Sequence, residues 1–162
     1  MATIAIDAIR CVRSYVGEPR VEHGLEASSA TFLVGAPLVW SSGYLAEASS
    51  DPTMIVGIAA EPGHNITAGT QTVAFYPLAG NIFEANLAQA ASSTVSATTN
   101  LGTAYGIVAR STGTAHWVVD SSDTSNTRCR PLRFAHPSVV TDTNARIEIT
   151  FFNGNDALTV AG

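Results

Sequence analysis

The chain has 162 residues, 46% of them hydrophobic and only 13% charged, with a formal net charge of −5 and a pI near 5.2. That length holds one ordinary domain, or two small β modules with a shared core. The acidic balance argues against nucleic acid as the main partner, which needs clustered positive charge, and no apolar run reaches the about 18 residues of a membrane span.

The charged fraction is roughly half that of an average soluble domain. Such a surface suits a protein that covers part of itself with partners, although a biased genomic composition gives the same picture. All eight cations are Arg and none is Lys. The planar Arg fork suits interface ion pairs; a coding bias toward Arg is the plainer explanation. Asp7 and Arg10 interrupt the first apolar stretch and no basic leader precedes it, so no signal peptide and synthesis in a cytoplasm are expected. There Cys11 and Cys129 are expected as reduced, buried, small apolar side chains. A disulfide between them would close a very long loop and stabilise by about 4–5 kcal/mol.

In chain order, apolar residues recur with period two rather than 3.6. Residues 4–13 alternate imperfectly at first and cleanly at the end, as a first strand. Residues 18–26 are charged and read as an arm or long connection. The runs 32–40 and 54–60 each carry a glycine mid-run, Gly35 and Gly57, which marks a bulge or a close backbone approach. Bent strands of that kind are what a small closed barrel requires. Residues 72–78 form a strand ended by Pro77, and Ala79-Gly80 turns the chain into a strand over 81–87. Residues 85–91 are the best helical candidate, for a turn or two. Gly57–Gly63 is faintly echoed by Gly106–Gly113. Strands follow at 117–120, 130–134 and 146–151, with a polar exposed loop at 121–127.

Turn signals are dense, at Ser42-Gly43, Asp51-Pro52, Glu61-Pro62-Gly63, Thr112-Gly113, His136-Pro137 and Asn153-Gly154. The expected fold is all-β, a small bent-strand barrel or sandwich with an N-terminal strand and arm. Residues 1–29 form that strand and arm, and residues 30–162 a β-barrel-like domain with C-terminal strands.

No motif for catalysis stands out. The chain lacks a P-loop, a dinucleotide fingerprint, His-Glu-x-x-His, Cys-x-x-Cys and Gly-x-Ser-x-Gly. His23, His64, His116 and His136 read as turn, surface or packed residues. Asp120 with Asp123, and Asp51 with Glu47, are the nearest thing to paired carboxylates, and loop acids of this kind more often cap turns. No catalytic residue, cofactor site or metal site is expected. Trp40 and Trp117 read as core or subunit-interface anchors rather than sugar platforms.

The stretch 32–60, with Gly35-Ala36-Pro37-Leu38-Val39 followed by Ile55-Val56-Gly57-Ile58-Ala59, resembles the paired strands of bacteriophage capsid decoration (cement) proteins. The order Leu101–Ile107, Trp117–Asp120 and Asn144–Phe151 is similar to that of phage minor head proteins. Together the resemblance spans about residues 30–152. It implies a non-enzymatic virion protein on the capsid exterior, often a homotrimer, that binds the major capsid protein and clamps neighbouring capsomers. Many weak lattice contacts would then add by multivalency. The opening residues match nothing in that pattern. Arg10, Arg13, Tyr15 and Arg20 are candidates for an arm that reaches a partner, or belong to an ordinary first strand, and Trp40 and Trp117 complete the candidate partner-binding set. The alternatives are a receptor- or carbohydrate-binding β module of a phage tail or fibre, and a small hydrolase.

Overall fold

The alternating pattern resolves into eleven strands among the residues that the computed structural model describes, 1–111 and 116–152. They are β1 (Arg10–Ser14), β2 (Glu22–Leu25), β3 (Pro37–Ser41), β4 (Tyr44–Glu47), β5 (Gly57–Ala59), β6 (Thr72–Pro77), β7 (Asn81–Ala88), β8 (Gly106–Ala109), β9 (Trp117–Asp120), β10 (Cys129–Phe134) and β11 (Arg146–Phe151). One 3₁₀ turn, Thr98–Asn100, interrupts them.

A larger sheet runs β10-β11-β7-β9-β8, with β1 also paired to β7. A smaller one runs β2-β6-β5-β3-β4. The two enclose one core. Leu38, Ile58, Val73 and Phe75 enter it from the smaller sheet, and Phe83, Leu87, Ile147 and Ile149 from the larger. Phe83 and Phe151 meet edge to face at 5.3 Å, the arrangement aromatic quadrupoles favour. Each such buried side chain contributes about 1.5–3 kcal/mol over its exposed state. The protein is thus an all-β sandwich, and no closed barrel forms among the described residues. The smaller sheet curls until its two edges touch at one point, a parallel bridge between Glu26 and Leu45.

Several local expectations change. The first strand begins at Arg10, not Ile4, and bulges between Cys11 and Arg13. Residues 1–29 contribute a strand to each sheet, β1 beside β7 and β2 beside β6. Residues 85–91 do not start a helix, because β7 continues to Ala88 and pairs in parallel with β9. The echoed glycines lie in different sheets, Gly57 opening β5 and Gly106 opening β8. Thr112-Gly113 and Asn153-Gly154 fall outside the described residues. Cys11 and Cys129 sit on β1 and β10, separated by β7 and β11. Three strand spacings of about 4.8 Å put them ~14 Å apart, twice the Cα reach of a disulfide, and both thiols are free.

Other signals hold locally for clear reasons. Ser42 and Gly43 both have positive φ, 51° and 85°, between paired Ser41 and Tyr44, as a type I′ hairpin turn demands. Gly57 is a close approach: a Cβ there would lie 2.5 Å from Tyr76 O. Gly35 has φ +84° and its N–H donates to Ala59 O. A Cβ on it would stand 2.5 Å from the carbonyl oxygen of Ile9. Gly35→Ala therefore combines left-handed strain with a backbone clash. We expect a loss of about 2–4 kcal/mol, read as a lower urea midpoint; an unchanged midpoint would show that the β1–β3 approach is looser than described.

Candidate functional site

β7 alternates across the sandwich. Phe83, Ala85 and Leu87 enter the core, so Ile82, Glu84, Asn86 and Ala88 face outward. All four are nevertheless buried or half-buried, and the chain's own N-terminal residues and its arginines lie over Glu84, Asn86 and Ala88. Ile6 packs on Ala88, Val108 and Val118. Asn86 accepts from Asp7 N–H at 3.0 Å and donates to Ala5 O and Asn144 O.

The centre of this face is a charge row running across four strands. The register places Arg10 opposite Glu84, Glu84 opposite Glu148, and Glu148 opposite Arg133. Two glutamates directly opposite each other repel. Here each is clasped on both sides. Arg10 Nε and Nη2 donate to Glu84 Oε2 at 2.8 and 2.5 Å, and Arg146 Nη2 approaches the same oxygen at 3.6 Å. Arg13 Nη2 and Arg133 Nη2 donate to the two oxygens of Glu148 at 2.6 and 2.5 Å. Arg133 first, then Arg13, holds the Glu148 carboxyl below its ordinary value, against the opposing effect of burial. Arg146 is the buried member, and it also donates to Asp7 O, Ala8 O and Asn86 Oδ1.

Of the residues singled out in the sequence, Arg10, Arg13 and Tyr15 come together here, with Tyr15 Oη 3.4 Å from Thr150 Oγ1. Arg10 and Arg13 are thus fastened to their own sheet rather than carried on a separate arm. Arg20 lies apart. It pairs with Glu22, and its backbone N–H and carbonyl are held by the Asn81 side chain. Trp117 is buried between the sheets and its indole N–H reaches Glu47 Oε1 of β4 at 3.0 Å. Trp40 is 39% exposed. It lies at the mouth of the curled sheet, with Cη2 2.8 Å from where a Gly24 Cβ would be.

The loop acids serve their turns. Asp120 Oδ1 accepts from Ser122, Asp123 Oδ1 from Ser125 and Asn126, and Asp51 Oδ1 from the Asn126 side chain. The histidines stand on separate elements. His23 is in β2, His64 follows β5, His116 precedes β9, and His136 follows β10, joined to Pro137 by a cis bond. No cavity and no group of three or more metal-ligating side chains occurs among the described residues. Burial raises the Cys11 thiol to about 11 and pushes Cys129 higher still.

Sequence reasoning missed two features. One is Glu84, Glu148, Arg133 and Arg146. Alternation marks their polar face, but only strand order shows that they meet. The other is Glu26 with His64. The fully buried Glu26 carboxylate accepts the His64 backbone N–H at 2.7 Å, and His64 Nδ1 lies 2.6 Å from its other oxygen. It fastens the loop after β5 to the seam where the small sheet's edges touch. Nothing in the charged run 18–26 distinguishes Glu26 from its neighbours.

Comparison with protein-family models, with curated proteins and with solved structures finds no match to this chain.

A carboxyl depressed in the folded state adds stability above its ordinary value, near 4.5 for Glu148, and that stability is lost as pH falls through the folded value. The wild type should therefore weaken faster below about pH 4.5 than Glu148→Gln, in urea midpoints measured across the acid range. Parallel profiles would show that the pair contributes nothing.

Proposed function

We propose that this chain is a structural virion protein that binds the outside of an icosahedral phage capsid as a homotrimer and stabilises it by clamping neighbouring capsomers. The order of strand motifs over residues 30–152 supports this, through its resemblance to capsid decoration proteins. So does a surface with few charges and no Lys. The observation that carries it is the turn after β1. Val16 is 95% exposed and Tyr15 is exposed beside it. Yet the turn is held in place, with Ser14 N–H bonded to Gly17 O at 3.2 Å and Tyr15 N–H to Gly80 O at 2.9 Å. Apolar side chains presented on a fixed turn cost solvation in the free protein and lose little entropy when covered, which is what a contact surface needs. Repetition over a lattice lets modest contacts of this kind add.

The purified chain should run as a trimer in light scattering, co-sediment with expanded heads of the phage that encodes it, and raise their resistance to heat. Absence of co-sedimentation at micromolar concentration would sink the proposal.

Trp40 favours a second reading, a carbohydrate- or receptor-binding module of a tail or fibre, since it is the tryptophan with a solvent-facing ring. A glycan array should then give hits that Trp40→Ala abolishes, and a blank array would dismiss this reading.

A further inference from the structure

Over β1, β7, β11 and β10 the outer face of the larger sheet is positive in an acidic protein. Arg10, Arg13, Arg130, Arg133 and Arg146 share it. Glu84, Glu148 and Asp7 are the carboxylates among them. Five positive charges against three negative leave +2 on this face, so the remaining chain carries −7 of the net −5. Apart from the exposed Asp7, the carboxylates lie deeper than Arg10, Arg13 and Arg133. Side-chain exposure is 61% for Arg10, 46% for Arg13 and 63% for Arg133, but 13% for Glu84 and 8% for Glu148. The glutamates form the floor and the guanidiniums the solvent-facing layer. Each of these three arginines contacts a single carboxylate, and a guanidinium has five N–H donors, so donors remain directed outward. They are preorganised, because the buried glutamates already hold the side chains in place, and less rotamer entropy remains to be lost on binding.

We infer that this face is a docking surface for an acidic polypeptide segment, one carrying one or two carboxylates next to an apolar side chain. The excess of +2 is neutralised by two carboxylates. It is too small for the several phosphates that nucleic-acid binding requires, and the −7 elsewhere repels a long polyanion. Tyr15 and Val16 adjoin the arginine layer and supply the apolar contact. Planar bidentate recognition is what Arg offers a carboxylate. The inference rests on the capsid-binding reading only for the partner's identity, which under that reading is an acidic stretch of the capsid subunit.

The test uses the full chain with a fluorescent, terminally blocked peptide that carries two glutamates beside a leucine, and a thymidine oligonucleotide of equal charge. Binding is followed by anisotropy at low salt and at 0.15 M, and by shifts of the arginine Nε–Hε signals. The peptide should bind, weaken with salt, and shift Arg10, Arg13 and Arg133. The double substitution Arg10→Gln with Arg133→Gln should weaken it by about tenfold or more. That variant leaves Glu84 with Arg146 and Glu148 with Arg13, and unchanged amide signals from the smaller sheet verify its fold. The inference is overturned if the peptide does not bind, if shifts fall elsewhere, if the variant binds as the wild type does, or if the oligonucleotide binds as tightly as the peptide. Capsid co-sedimentation separates the two proposals. Peptide binding without capsid binding removes the virion reading and keeps this surface. Capsid binding that the double variant retains in full, with no peptide binding, removes this surface and keeps the virion reading.

Discussion

A central strand that is buried on both faces needs two covers, and β7 has only one other sheet to provide them. Its inward residues meet the core of the sandwich. Of its outward residues, Glu84, Asn86 and Ala88 would otherwise face water, and they are instead covered by residues 5–8 and by Arg10 and Arg146. Much else follows from this cover. It fixes where the N-terminal residues run, why Arg146 is buried among carbonyl oxygens, and why two glutamates can stand opposite each other. Removing water from Glu84 and Glu148 is costly unless charged donors replace it; Arg10 and Arg146 face one oxygen of Glu84, and Arg13 and Arg133 take both oxygens of Glu148.

The smaller sheet solves a related problem at its edges. β2 and β4 are its outer strands, and open edges invite pairing with other chains. They come together at the Glu26–Leu45 bridge, and Ala27 N–H donates to Leu45 O at 2.9 Å beside it. The buried Glu26 carboxylate then ties in the loop carrying His64, while Gly69 N–H bonds the Glu26 carbonyl. A single polar residue thus closes the seam from three directions. The two sheets are joined by apolar packing and by the Trp117–Glu47 hydrogen bond, so a residue that looked suited to a partner surface holds the interior together.

These devices bear on how the protein meets others. The N-terminal stretch lies along the protein's own two sheets in the described residues, and what it exposes is the turn at Tyr15–Val16 and parts of Arg10 and Arg13. Partner contact through a preformed face differs from capture by a flexible arm, because little ordering accompanies it.

Much of the architecture could be read from residue order. Period-two alternation at Arg146–Phe151 and Thr72–Pro77, the Ser42-Gly43 turn, and the mid-run glycines Gly35 and Gly57 all act through local sterics or local burial, and each is recognisable within a few residues. The all-β class follows from them. The tertiary structure alone decided sandwich over barrel, the separation of Cys11 from Cys129, the continuation of β7 through residues 85–88 in place of a helix, and the meeting of Arg10, Glu84, Glu148 and Arg133. All of these depend on which strand lies beside which, and strands distant in the chain choose neighbours through the shared core rather than through any signal of their own. Alternation tells which face a side chain takes; only the strand order tells what it will find there.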